Sequence, residues 1–263
     1  DNFRITSACS SSALSGALRL VHTTDLPPSP HKLLQQAEGE GKDSHGRIFA
    51  DTVQNATAKL LLAAYIVLFA WAAINPYDRA TWWAENIPIV LIAASLAVLS
   101  MRGVVFSATA YALMSVLLFL HTIGGHYTFE RVPFGLVPDL FGFERNHYDR
   151  IAHFSVGFYA FAIAEALVRA RAIRSRLVLF LFPVFSIAFV AMGYELIEWW
   201  YAEAAGGSSG AALLGSQGDS GDAQKDMLAD TLGAVAATVL FFALGRAASC
   251  QGTAPLRYCA DRS

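Results

Sequence analysis

Six stretches of the chain stay apolar for long enough to form membrane-crossing helices, near 57–75, 86–101, 104–122, 150–168, 177–200 and 227–246. About 20 apolar residues are the length a helix needs to span a bilayer. The pattern predicts an all-α, polytopic transmembrane helix bundle of about six spans. Pro88 sits near the start of the second stretch, where proline is tolerated, and Pro183 in the first turns of the fifth predicts a kink. The segment 123–148 mixes Gly, Pro and aromatics with charge, as an interfacial or re-entrant loop would, and is expected to pack back on the bundle.

The flanks read differently. Residues 1–55 contain T-D-L-P-P-S-P-H-K and E-G-E-G-K-D-S-H-G and no long apolar run, which predicts a flexible tail ahead of a membrane domain over 56–247 and a short tail over 248–263. The opening S-A-C-S-S-S-A-L lacks a basic region followed by a long apolar one and is a poor signal peptide. Cys9, Cys250 and Cys259 lie in the tails without metal-like spacing, and a Cys250–Cys259 disulfide is open. Composition agrees with the spans: 55% hydrophobic, 15% charged, mean hydropathy +0.43. A net charge of −2 with basic residues scattered in short loops excludes nucleic acid as a partner and leaves the lipid bilayer. Arg169, Arg171, Arg174 and Arg176 between the fourth and fifth spans, with Arg102 between the second and third, predict those loops to be cytoplasmic. Both termini are then cytoplasmic, and 76–85, 123–149 and 201–226 face outward.

The outward ends carry the chemistry. Asp149 and His153 are four residues apart, Glu195 and Glu198 three apart, and Asp222, Asp226 and Asp230 form an i, i+4, i+8 row, so each set shares one helix face. His121 and His126 end the third span at the same depth. The predicted pocket is therefore His121, His126, Asp149, His153, Glu195, Glu198, Asp226 and Asp230. Ionisable groups at membrane depth cost several kcal/mol by order of magnitude unless partnered, so such a group is a functional suspect.

Three readings follow. His153, Glu195, Glu198, Asp226 and Asp230 have the chemistry to hold a divalent metal ion, although no H-E-x-x-H signature is present. The metal would activate water or polarise an ester or phosphoryl oxygen of an amphiphilic, lipid-like substrate, with Arg150 and Lys225 as candidate contacts for an anionic headgroup. The same groups also suit a small ion- or proton-coupled transporter. The third reading is structural: ion pairs that pin helix ends in an accessory membrane subunit. Against simple pinning, the acids at Asp149, Glu195, Glu198, Asp222, Asp226 and Asp230 outnumber the nearby bases. Nearby residues have plainer roles: Trp82, Trp83, Trp199, Trp200 and Tyr201 as interfacial aromatics, Gly157, Gly193 and Gly233 as points of close helix approach, Asp222 as a helix N-cap. No G-x-S-x-G elbow or nucleotide-binding glycine motif occurs, and Ser155 does not share a face with His153.

The order H-T-I-G-G-H-Y, E-R-N-H-Y-D-R-I-A-H-F-S-V-G-F, Y-E-L-I-E-W-W and G-S-Q-G-D-S-G-D-A-Q-K-D-M resembles the YjdF-type inner-membrane proteins over about 57–246. The resemblance implies a bacterial inner-membrane location and no established biochemical activity. Two positions depart from the family's usual G-T-Q-G-D and its Trp before D-A-Q-K-D-M: Ser216 and Gly221 stand there. A fainter pattern, Asp149, His153, Glu195 and Asp230, is similar to VanZ-like membrane proteins and hints at an envelope- or lipid-related role.

Overall fold

The computed structural model describes residues 52–133, 145–207 and 216–250, with the side chains of 246–250 excepted. Residues 1–51 and 251–263 of the predicted tails, 134–144 of the 123–148 segment, and Cys259 of the open Cys250–Cys259 disulfide lie outside the described residues, whereas 52–55 and 248–250 are helical. Among the described residues the chain is all α-helical, and six spans are long and apolar enough to cross a membrane. They are α1 (Thr52–Ala72), α2 (Arg79–Met101), α3 (Ala108–Tyr127), the pair α4 (Tyr148–Val156) and α5 (Tyr159–Arg169), α6 (Arg176–Ala205) and α7 (Asp222–Cys250).

Local chemistry sets these boundaries. α2 starts well ahead of the expected residue 86 because Asp78 caps it, its carboxylate accepting the Thr81 N–H at 2.7 Å. That hydrogen bond, with little burial to oppose it, holds the Asp78 carboxyl below the usual carboxylate range. Ser107 caps α3 and is itself held by Glu165, its N–H and hydroxyl donating to the two carboxylate oxygens at 2.8 and 2.6 Å. Ser175 caps α6, which continues through Pro183 at its eighth residue, where the missing N–H removes the helical donor to the Leu179 carbonyl.

The fourth span breaks into α4 and α5 at Gly157, where it presses on α7. A Cβ at Gly157 would overlap the backbone of Gly233 and Ala234, and a Cβ at Gly233 would overlap the Phe154 carbonyl. The expectation of close approach holds for these two glycines. It fails for Gly193, around which a Cβ would meet nothing within 4 Å among the described residues.

The tightest apolar packing, Phe106, Met114, Phe161, Leu179, Ile187 and Phe241 among it, lies between α3, α5, α6 and α7. Leu60, Val67, Phe185, Phe189 and Leu232 point outward, as suits a surface solvated by lipid. Trp82 departs from the interfacial role expected of it. As part of α2 it is 2% exposed and packs against Phe69 at 5.4 Å, whereas Trp83, Trp199 and Trp200 are exposed. The C-terminal ends of α1, α3 and α6 and the N-terminal ends of α2, α4 and α7 gather at one end of the bundle, and the polar residues collect there.

Candidate functional site

The contact between Gly157 and Gly233 puts the first turns of α4 beside those of α7. Asp149 and His153 on α4 thereby face Asp222, Asp226 and Asp230 on α7. His153 is the hub. Its Nδ1 lies 3.3 Å from Asp230 Oδ2, while its Nε2 lies 3.6 Å from Asp149 Oδ1 and 3.9 Å from Glu195 Oε1. The first distance is a weak hydrogen bond; the other two are too long to be one. One ligand atom each of Asp149, His153 and Asp226 lies within 4.8 Å of the others. Asp230 is 1% exposed, and its Oδ1 has no hydrogen-bond partner among the described residues.

Two arginines border this cluster. Arg145 pairs with Asp222 at 2.6 Å, stands 3.9 Å from Asp149 Oδ2, and donates to the Ser216 carbonyl at 3.0 Å. Burial works against its charge, but the Asp222 hydrogen bond and the Asp222, Asp149 and Asp226 charges outweigh it and raise the Arg145 pKa above its ordinary value. Arg150 pairs with Asp226 at 3.0 Å, with Asp219 at 3.3 Å, and with Asp222. Lys225 is mostly exposed and pairs with Asp219 at 2.6 Å. Hydrogen bonds from Lys225 and from the Gly221 N–H keep the Asp219 carboxyl below the usual range. Burial, followed by the positive charges of Arg145, Arg150 and Lys225, pushes the His147 imidazole below its ordinary value. Asp222, expected as an N-cap, instead lies in the first turn of α7 and gives its carboxylate to the arginines. Asp219 makes the local turn bond, to Gly221 N–H at 3.0 Å.

A second polar wall stands on α2, α3 and α6. Glu85, 2% exposed, pairs with His121 Nε2 at 3.0 Å and accepts the Tyr194 hydroxyl at 3.3 Å. The α2–α3 approach that permits this passes over Gly125, where a Cβ would meet Asn86 Nδ2 at 2.8 Å and Glu85 Cβ at 3.2 Å. A cavity of about 100 Å³ joins the two walls, lined by Glu85, His121, Asp149, His153, Glu198 and Asp230 and completed by apolar side chains such as Ile89 and Leu117.

Of the predicted residues, His121, Asp149, His153, Glu198 and Asp230 line this cavity, and Asp226 and Glu195 adjoin it through His153. His126 does not: it turns to the Ala72 carbonyl at 2.9 Å and packs against Trp71. Arg150 and Lys225 are tied to Asp219, Asp222 and Asp226 and do not line the cavity. Glu85 and Tyr194 were missed, although Tyr194 is the first residue of the Y-E-L-I-E motif and Glu85 stands beside an apolar run. Asp149, His153, Asp226 and the neighbouring Asp230 supply mixed nitrogen and oxygen donors suited to zinc, manganese or iron.

The family described as "Predicted membrane protein (DUF2238)" matches residues 57–247. The chain belongs to this family. It is a multi-pass membrane protein, and a curated relative is the "Inner membrane protein YjdF" of Escherichia coli (strain K12). That relative is 38% identical over 184 residues, 67% of this chain and 84% of the relative. No solved structure matches the chain. Within this family member the two departures are structurally mild. Ser216 contributes its main-chain carbonyl to Arg145. At Gly221 a Cβ would meet Asp219 and Lys225 only at 3.7 and 3.8 Å, so the position has room for a side chain and does not demand glycine.

Proposed function

We propose that the pocket holds a divalent metal ion on His153 and one carboxylate oxygen each of Asp149 and Asp226, with Glu195 within reach, and acts on the polar head of an amphiphile. The observation that carries this reading is the spacing around His153 Nε2. Asp149 Oδ1 and Glu195 Oε1 lie 3.6 and 3.9 Å from it, too far for hydrogen bonds and close to the separation of about 3.4 Å between ligands that each sit about 2.1 Å from a tetrahedral ion, and a ligand atom of Asp226 lies within 4.8 Å of those of His153 and Asp149. Asp230 supports the same reading from behind. By accepting the Nδ1 proton it orients the imidazole and leaves Nε2 to face the other acids, an arrangement common among metal-bound histidines.

Access favours an amphiphile. Between α2 and α6 the cavity is lined by Pro88, Ile92 and the 56%-exposed Val190, so a head can enter from the bilayer while its chain remains in lipid. Bound there, the ion would supply Lewis-acid polarisation or an activated water for an ester or phosphoryl group. His153, Asp149 and Asp226 hold it, Asp230 sets the imidazole orientation, and Arg145 and Arg150 balance the acids from outside. The inner-membrane location in the name of the Escherichia coli relative supports the same location for this chain.

Elemental analysis of purified protein tests the reading. About one equivalent of zinc, manganese or iron is expected, removed by chelation and lost in His153→Ala and Asp149→Ala while both variants remain folded. Wild-type protein that stays metal-free after incubation with each ion would refute it, and ion-dependent flux in liposomes would then be the property to measure.

A further inference from the structure

The charge of the cavity bears on which head it accepts. Its polar lining is Glu85, Asp149, Glu198 and Asp230 against two imidazoles, His121 and His153. The permanent cations nearby, Arg145, Arg150 and Lys225, are bound to Asp219, Asp222 and Asp226 and are absent from the lining. A metal ion on Asp149, His153 and Asp226 leaves three acids on the remaining wall. Glu85 is held by His121 and Tyr194. Glu198 makes no hydrogen bond or ion pair with any described residue, and the almost completely buried Asp230 keeps an oxygen without a partner.

The buried Asp230 oxygen without a donor is costly and the half-buried Glu198 carboxylate opens on the cavity, so the wall is complementary to a ligand that brings positive charge and several N–H groups. On this wall, away from the ion, an anionic phosphate head would instead meet like charge. Building on the metal reading, we infer that the pocket selects an amphiphile with a protonated primary amine as its head. Glu198 is its counter-charge, Asp230 and Glu85 are further acceptors for the three ammonium hydrogens, and Ile89, Ile92, Leu117 and Val190 cover the first carbons of its chain. This replaces the anionic headgroup anticipated at Arg150 and Lys225 with the opposite charge.

Saturable binding of radiolabelled dodecylamine to the full chain in phosphatidylcholine nanodiscs at neutral pH tests this, with empty discs as the blank and dodecanol and dodecyl phosphate as competitors. Dodecylamine is expected to bind, dodecanol to compete at least about tenfold less well, and dodecyl phosphate not to compete, since a charge-assisted hydrogen bond is worth roughly that factor or more. Glu198→Gln should weaken dodecylamine by about tenfold with metal content and melting temperature unchanged; Glu85→Gln is the second variant. Equal competition by all three probes, preference for dodecyl phosphate, or unchanged binding in both variants would overturn the inference. Metal content, measured on the same samples, separates the two ideas: a metal-free protein that still binds dodecylamine through Glu198 defeats the metal reading alone, and a metal-loaded protein indifferent to the amine defeats this one alone.

Discussion

At the scale of single residues, His153 organises the site and Asp230 organises His153. Asp230→Asn keeps the shape of the side chain but weakens its hold on the Nδ1 proton, so metal affinity should fall about 10- to 100-fold without unfolding, as read by competition with a chromophoric chelator. An unchanged affinity would make Asp230 a passive neighbour. His153, Asp149, Asp226 and Asp230 were legible in the sequence because a four-residue spacing keeps side chains on one helix face. The same rule explains why His126 was misread. It follows His121 by five residues, which rotates it by about 140° around α3, away from the pocket and toward Ala72. Glu85 was hidden for another reason: R-A-T-W-W-A-E-N reads as a polar loop until Asp78 is recognised as a cap that extends α2 back across it.

At the scale of elements, the site depends on how closely α4 can approach α7. Gly157 and Gly233 meet backbone to backbone, so adding even one methyl must push the helices apart. Gly157→Ala and Gly233→Ala should each destabilise the protein by about 1–3 kcal/mol and reduce metal binding, because His153 lies on one helix and Asp226 and Asp230 on the other. Gly193→Ala is the internal contrast. It lies within α6 with open space around it, so the change should be neutral or stabilise by up to about 1 kcal/mol. Thermal melting of the three variants, with metal content measured beside it, checks both expectations; equal effects at all three would refute the close-contact account. The sequence marked these glycines alike, since helix crossing is a pairwise property that one chain's pattern does not contain. Connections show the same limit. Gln217 and Asn146 exchange two hydrogen bonds, each at 3.1 Å, and Arg145 reaches Ser216 and Asp219, so loops about 70 residues apart in sequence are joined beside the cluster.

At the scale of the whole molecule, the number and type of spans followed from hydropathy because a bilayer enforces helices long enough to cross it. Sidedness is a separate matter, argued from basic residues. One end of the bundle carries Arg102, Arg169, Arg171, Arg174 and Arg176 in and beside two short connections. The site end also carries cations, but Arg145, Arg150 and Lys225 are neutralised by Asp219, Asp222 and Asp226, and Arg131 by Glu130. Of the arginines at this end Arg79 alone among the described residues meets no acid, donating to the Ala73 carbonyl and lying over Trp82, although acids weigh little in the insertion rule itself. The dense arginine connection between α5 and α6 therefore sets the proposed orientation, with the polar site facing away from the cytoplasm. In a variant whose three native cysteines are replaced by serine, a cysteine at Ser216 should react in intact cells with a maleimide that cannot cross the inner membrane, and a cysteine at Arg174 only after lysis. The reverse pattern would invert the bundle, open the pocket to the cytoplasm, and require its amphiphile to come from the inner leaflet.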